Sequence, residues 1–332
     1  MKLSMKLNIG EQIDTPNKDL KLYPLYYDGV HSRRYRLAEE LKDSLLITDS
    51  GRVNTVYIRN NSKYPIFIRA GTILKGNTQN RTLKRSMLVF PNQEAKDFEN
   101  VSYVKAAEVF CVHATHGINA SSGTFGVDCL LPHNLESLCY TSSNQGQMWN
   151  NINTCFTNDV PLYKAASDDL TTKLKVMEEQ YGNTVDQIIS KHPQLGDAVG
   201  VAIIDSNNIL AIELYDSTES WNVMMKKILT KYSKDFSLKN AGTYTTGNYW
   251  KDAKNKIQTM LSSSVEVLNK FSDTLDAGKD KWIAVTYQGN VREKYEAELT
   301  TLNKKVIHMA IVRGSRYRDE SIDDNGPITV LY

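Results

Sequence analysis

A polar segment between two apolar stretches carries the residues best suited to binding an anion. Residues 71–85 combine two glycines, three side-chain amides and four cations. Gly76 lets the main chain approach a ligand closely, while Gln79 and Asn80 offer both donors and acceptors. Arg81 presents a planar fork of donors that suits phosphate or carboxylate. These four residues are the predicted ligand-binding cradle; the alternative is a solvated turn in which Arg81 pairs with a nearby carboxylate. The segment has neither the Walker spacing nor the dinucleotide-binding glycine spacing.

A cysteine and two histidines follow the next predicted strand. Cys111 and His113 would project to the same face as the strand ends, and His116 lies just beyond. We take Cys111 and His113 as candidate catalytic residues, because an imidazolium beside a thiol lowers its pKa and activates it. Zinc would need three such ligands plus water for catalysis, and Cys111, His113 and His116 are weak candidates for them. Because the paired ligand spacings are missing, no metal site is predicted, and the sequence leaves any cofactor unknown. The alternative is a buried cysteine beside hydrogen-bonded histidines.

A glycine precedes a predicted helix in the segment 144–151. Helix N-termini expose main-chain N–H groups and attract anions. Gln147 lies in the first turn of this helix, and Trp149 could stack on a base or sugar ring. Both are therefore added to the predicted ligand-binding set; the alternative is a capped helix that buries Trp149.

The composition restricts the class of protein. The 332 residues are 41% hydrophobic and 23% charged, which predicts a folded core rather than disorder. Forty basic and 38 acidic residues leave a net charge of +2, so neither an extensive nucleic-acid surface nor a membrane-binding field is expected. Four irregularly spaced cysteines predict reduced thiols. Without an apolar N-terminal stretch or an 18-residue apolar run, we expect a cytoplasmic protein.

The elements that must position these residues follow from apolar periodicity. The N-terminal part reads as an antiparallel β block, because connections of two to four residues leave no room for crossover helices. A helical and loop-rich middle follows, and then a second β-helix-β layer, so the predicted fold class is α+β. Strands are predicted at 45–48, 53–59, 64–69, 72–74, 86–90, 103–112, 199–204, 209–214, 282–287, 291–299, 306–312 and 328–331. Helices are predicted at 34–43, 147–155, 168–181, 184–190, 219–232 and 250–275, with an irregular loop over 114–147.

Short motifs along the first two-thirds of the chain form a recognisable pattern. They are residues 45–48, Val53, Asn60, Pro65, Gly71, Gly76, Gln79-Asn80-Arg81, Ser86, Leu88-Val89, Cys111-Val112, residues 147–149, 199–202 and 214–216. In these residues the chain resembles a little-characterised prokaryotic family named for its genomic association with ADP-ribosylglycohydrolases and rhodanese-phosphatases. The resemblance implies a core domain over residues 20–235 and a C-terminal elaboration over 236–332 that packs on it. His113 replaces an acidic residue of the family pattern, and Thr115-His116 replaces an Arg-Trp pair, so the resemblance carries no catalytic role to this loop.

Two classes of function follow. In the first, the protein binds or processes a small nucleotide-like ligand such as ADP-ribose, which the resemblance links to prokaryotic conflict systems. Arg81 and its neighbours would hold phosphate or ribose, and Trp149 would stack. In the second, the protein is a non-catalytic scaffold, because its near-zero net charge is compatible with homo-oligomers. Both depend on whether Arg81, Cys111 and Trp149 converge.

Overall fold

The computed structural model describes residues 7–27, 33–77, 79–91, 105–113, 123–140, 144–154, 169–205, 208–237, 252–272, 284–292, 295–303 and 305–313. The chain divides into two compact units. One comprises Met1–His31 with Tyr181–Tyr332, and the other comprises Ser32–Gln180. The predicted division separates a family-like core over 20–235 from an elaboration over 236–332. It is not a division by contacts between residues, and it stays a prediction.

Strands and helices alternate in blocks along the chain. The strands are β1 (Leu7–Ile9), β2 (Ile13–Asp14), β3 (Leu20–Tyr27), β4 (Arg36–Leu37), β5 (Leu45–Asp49), β6 (Thr55–Asn60), β7 (Ile66–Ile68), β8 (Thr72–Gly76), β9 (Asn80–Leu83), β10 (Met87–Val89), β11 (Lys105–Cys111), β12 (Thr124–Leu130), β13 (Gly200–Asp205), β14 (Asn208–Tyr215), β15 (Ala284–Arg292), β16 (Tyr295–Leu302) and β17 (Lys305–Arg313). The described helices are α1 (His133–Tyr140), α2 (Gln145–Thr154), α3 (Leu170–Lys191), α4 (Thr218–Thr230), α5 (Ser233–Ser237) and α6 (Ala253–Ser272). The predicted α+β class is confirmed. None of these helices is long and apolar enough to cross a membrane.

A closed six-stranded barrel forms the centre of the unit Ser32–Gln180. Its strands follow the order β11-β6-β5-β12-β8-β9, and every neighbouring pair is antiparallel. Alternate residues of each strand point inward, as the pleat requires. The inward side chains that pack into one buried cluster are Ile47, Val56, Ile58, Leu74, Leu83, Val109, Phe125 and Val127. Strands β10, β7 and β4 form a separate three-stranded sheet in the same unit.

Two predictions for this unit are wrong. The predicted helix over 34–43 is instead strand β4, which pairs in parallel with β7, followed by a short 3-10 turn at Lys42–Ser44. The Glu40 carboxylate accepts from the Leu37 N–H and from Arg33, and this bends the chain before a helix can form. The predicted irregular loop over 114–147 contains β12 and α1 in its described part. Strand β12 forms because Phe125 and Val127 fill the barrel that it closes.

The two helices predicted over 168–181 and 184–190 are the single helix α3. Its buried stripe continues through Leu174, Met177, Val185 and Ile188 at helical spacing. Gly182 falls within it, at the modest cost that glycine carries inside a helix.

A large antiparallel sheet forms the other unit. Its strand order is β1-β3-β13-β14-β17-β16-β15, with β2 beside β3. One apolar face packs against α6 through Ile257, Met260 and Leu261. The predicted hairpin over 199–214 and the three closing strands are confirmed. The predicted edge strand over 328–331 lies outside the described residues.

Candidate functional site

Strand β9 places a charged side chain on the inner face of the barrel. Arg81 is paired with Leu74 on β8 and with Cys111 on β11. Directly paired residues share a face, and residues two apart on a strand do as well. Arg81 therefore points to the same side as Leu74 and Leu83, which belong to the apolar cluster inside the barrel. Asn80 and Thr82 point to the opposite side.

The guanidinium of Arg81 is buried, and no counter-charge lies beside it among the described residues. The residue is only 2% exposed. Its Nη2 donates to Oε1 of Gln79, whereas its Nε and Nη1 are buried and have no hydrogen-bond partner. No described carboxylate forms an ion pair with it. A buried charge is costly unless it is paired and hydrogen-bonded, so this side chain is suited to an anion from outside the chain.

The Cys111 thiol and the Trp149 indole lie beside this guanidinium. Burial raises the pKa of Cys111, and the main chain of His113, the Arg81 guanidinium and the Trp149 indole offset that effect only in part. The thiol is therefore neutral at pH 7, and it donates to the main-chain oxygen of His113 at 3.1 Å. Nε1 of Trp149 is buried and has no hydrogen-bond partner. Arg81, Cys111 and Trp149 thus converge, although they are remote in the chain.

A glutamine attaches helix α2 to the end of β11. Oε1 of Gln145 accepts from the N–H of Cys111 at 2.8 Å, and its Nε2 donates to the carbonyl of Cys111 at 2.7 Å. Gln145 and Trp149 are four residues apart, so both lie on the face of α2 that meets β11. Sequence reasoning missed Gln145 because it began the helix two residues too late. The spacing to Trp149 would have identified it.

Gln147 does not lie with this group. Its side chain is exposed and accepts from the Asn144 N–H at 2.8 Å, while Asn144 Oδ1 accepts from the Gln147 N–H at 2.9 Å. This reciprocal pair is a capping box that starts α2. The N–H of Gly76 is used within the β8–β9 hairpin, where it donates to the Gln79 carbonyl at 3.1 Å.

Asn80 and His113 contact the start of α3 instead. Nδ2 of Asn80 donates to Oδ1 of Asp169 at 3.0 Å and to Oγ1 of Thr171 at 3.1 Å. Burial raises the pKa of Asp169, but hydrogen bonds from Thr171 and Asn80 outweigh it and hold the pKa below its usual range. His113 forms an isolated β-bridge with Asp169. Sequence reasoning missed Asp169 and Thr171, which are remote from β9 in the chain.

The described residues contain no group of three His, Cys, Asp or Glu side chains that could hold a metal ion. Cys111 and His113 lie within this described part of the chain. His116, the third candidate ligand, lies outside the described residues.

Replacing Gln145 with leucine should loosen α2 from the barrel. The main-chain N–H and carbonyl of Cys111 would lose their side-chain partners, and each unsatisfied buried group costs about 1–3 kcal/mol. We expect a loss of about 2–4 kcal/mol in the free energy of unfolding, measured by urea denaturation, together with faster alkylation of Cys111 in the native protein. Gln147→Leu on the same helix is the matched control and should cost about 1 kcal/mol through its cap. Equal losses for the two variants would contradict the assignment.

The fold and the site define an α+β protein whose closed barrel buries an arginine that forms no ion pair with any described carboxylate. The chain belongs to the family described as the ARG and Rhodanese-Phosphatase-superfamily-associated Protein domain, whose model matches residues 6–312. The family resemblance seen in the sequence is thereby confirmed, and the match continues through β17. No curated protein and no solved structure matches the chain.

Proposed function

We propose that this protein binds a nucleotide-like ligand, of which ADP-ribose is the first to test, and that Arg81 holds a phosphoryl group of that ligand. The observation that carries the proposal is the 2% exposure of Arg81 combined with two guanidinium nitrogens that have no partner. A phosphoryl oxygen would satisfy both N–H groups in the bidentate geometry that guanidinium favours.

The environment of Arg81 supports a ligand larger than a free ion. Trp149 is only partly buried, and its indole N–H faces the same place as the guanidinium. An indole can donate through its edge and stack through its face, which suits a ligand that joins phosphate to a ring. The family name, which refers to ARG and rhodanese-phosphatase proteins, is consistent with this choice.

Binding is better supported than catalysis. A nucleophilic cysteine needs a lowered pKa, whereas burial raises the pKa of Cys111. The Cys111 thiol donates to the main-chain oxygen of His113, and the backbone of His113 forms a bridge with Asp169. The catalytic roles of Cys111 and His113 stay predictions, and we assign the neutral thiol to the lining of the site.

Ligand-dependent stabilisation tests this proposal. A ligand that binds only the native state adds RT ln(1 + [L]/Kd), or about 2.7 kcal/mol at a hundred times Kd. We expect ADP-ribose to raise the melting temperature of the wild-type protein and to give a saturable heat of binding in calorimetry. Trp149→Phe, which keeps a ring and removes the indole N–H, should weaken binding about tenfold, as for the loss of one hydrogen bond. No stabilisation by ADP-ribose, NAD or ATP would refute the proposal.

The second candidate, a non-catalytic self-assembling scaffold, has one observation in its favour. Leu46 and Tyr57 lie on the same face of the neighbouring strands β5 and β6 and are 41% and 40% exposed. Exposed apolar groups that lie close together are typical of contact surfaces. A discrete oligomer in light scattering, unchanged by Arg81→Met and insensitive to all three nucleotides, would favour this candidate.

A further inference from the structure

We infer that the Arg81 site accepts a singly charged phosphoryl group, as in a phosphodiester or pyrophosphate linkage, in preference to a doubly charged terminal phosphate. This inference rests on the proposed function and specifies its ligand class. It follows from the charge balance and from the donor inventory around the guanidinium.

Arg81 and its described neighbours in the site, Gln79, Cys111 and Trp149, have a net charge of one positive charge. Arg81 contributes one positive charge, and the Gln79 amide and the Trp149 indole are neutral. Cys111 is also neutral, because burial raises the pKa of its thiol. The described residues of α2 include no titratable side chain. A singly charged group would therefore be neutralised on burial, whereas a dianion would leave one negative charge uncompensated in a region of low dielectric constant.

The other charged groups nearby are committed elsewhere. Glu108 on β11 is within 4 Å of two cations, Lys84 at 3.7 Å and Arg85 at 3.8 Å. Asp169 is held by Asn80 and Thr171 on the opposite side of β9. The remaining titratable groups on β8, on β11 and in the first turn of α3 are Lys75, which is exposed, Lys105 and Lys173, and His113 follows β11.

The unused polar atoms of Arg81 and Trp149 are all donors. They are Nε and Nη1 of Arg81 and Nε1 of Trp149. The side-chain acceptor next to them, Oε1 of Gln79, already accepts from Arg81. Such a set suits unprotonated phosphoryl oxygens and offers no acceptor for a P–OH group. Internal phosphoryl groups meet both conditions at pH 7, since each carries one charge and no proton.

A matched pair of ligands isolates the charge. Adenosine 5′-monophosphate loses its second phosphate proton at a pKa of about 6, whereas its methyl ester carries one charge throughout. Only about 1% of the monophosphate is a monoanion at pH 8. We therefore expect the ester to bind on the order of a hundredfold more tightly at pH 8. Its advantage should shrink at pH 5, where the monophosphate also carries one charge, but it should not vanish, because the monophosphate then keeps a P–OH group for which the donors of Arg81 and Trp149 offer no acceptor. The ratio of the two dissociation constants cancels those protein contributions that act equally on both ligands, and Arg81→Met should abolish binding of both.

The outcomes separate this inference from the proposed function. The charge preference is overturned if the monophosphate binds as tightly as the ester, or more tightly, at pH 8. It is also overturned if the ester does not bind under conditions in which ADP-ribose saturates the protein. Either result leaves ADP-ribose binding intact. Failure of ADP-ribose, NAD and ATP as well removes the proposed function. Oligonucleotide phosphates are also singly charged diesters, so a ten-nucleotide single strand is titrated in parallel. We expect the oligonucleotide to bind more weakly than ADP-ribose, because Arg81 is 2% exposed and a continuous strand has limited access to it. Tighter binding of the oligonucleotide would indicate that the site binds nucleic acid and would overturn the small-ligand class.

Discussion

Arg81→Met is expected to abolish stabilisation by ligand and, at the same time, to make the ligand-free protein more stable. The guanidinium is buried, and two of its nitrogens have no partner. An uncompensated buried charge costs several kcal/mol, and methionine fills a similar volume with apolar atoms. We expect the free energy of unfolding to rise by about 1–4 kcal/mol, after allowing for the lost hydrogen bond to Gln79. A residue retained at a cost in stability is expected of a binding site and not of a structural arginine.

Urea denaturation of the ligand-free variant and thermal melts with ADP-ribose measure the two effects. Arg85→Met is the matched control, since its side chain is 31% exposed and lies 3.8 Å from Glu108. That control should change stability by about 1 kcal/mol or less and leave ligand stabilisation intact. If Arg81→Met instead destabilises the ligand-free protein by about 2 kcal/mol or more, the guanidinium supports the fold and the anion-site assignment is wrong.

The sequence predicts the second β layer better than the barrel. The hairpin over 199–214 is readable because two apolar runs flank a short polar turn, and its neighbours in the chain pair directly. Strand β9 is hidden, because Asn80, Arg81 and Thr82 are polar yet buried on both faces. Their burial depends on β11 and α3, which are distant in sequence, and local periodicity does not report such contacts.

The candidate site was also predictable from the sequence only in part. Residue chemistry alone selects Arg81, Cys111 and Trp149, and the structure brings these three together. Neighbours in sequence are separated because strand geometry sends adjacent side chains to opposite faces. Asn80 is next to Arg81 but binds Asp169 on the other face. Had residues 80–83 been recognised as a strand, the alternation would have predicted this separation.

A second buried arginine in the same unit behaves differently, because its charge is compensated. Arg69 donates to Glu136 on α1 through Nη2, and both side chains are at most 1% exposed. The Tyr140 hydroxyl also donates to this carboxylate, at 2.6 Å, and Nη1 of Arg69 donates to the Ala70 carbonyl at 2.6 Å. The pair therefore fixes α1 against the turn that leads into β8. Arg69 needs no ligand, in contrast to Arg81.

Glu136→Leu should consequently destabilise the protein by about 3–5 kcal/mol, because it leaves the Arg69 charge buried without its carboxylate. The double variant Arg69→Met/Glu136→Leu removes both charges and should recover most of that loss, as expected when apolar side chains replace a buried ion pair. Urea denaturation of the two single variants and the double variant forms a double-mutant cycle, which isolates the energy of the pair. A double variant that is as unstable as the sum of the two single variants would show that the charges act independently. The comparison with Arg81→Met is the sharper test. Removing Arg81 should stabilise the ligand-free protein. Removing only Arg69, by Arg69→Met, should destabilise it, because Glu136 is then a buried carboxylate without its cation.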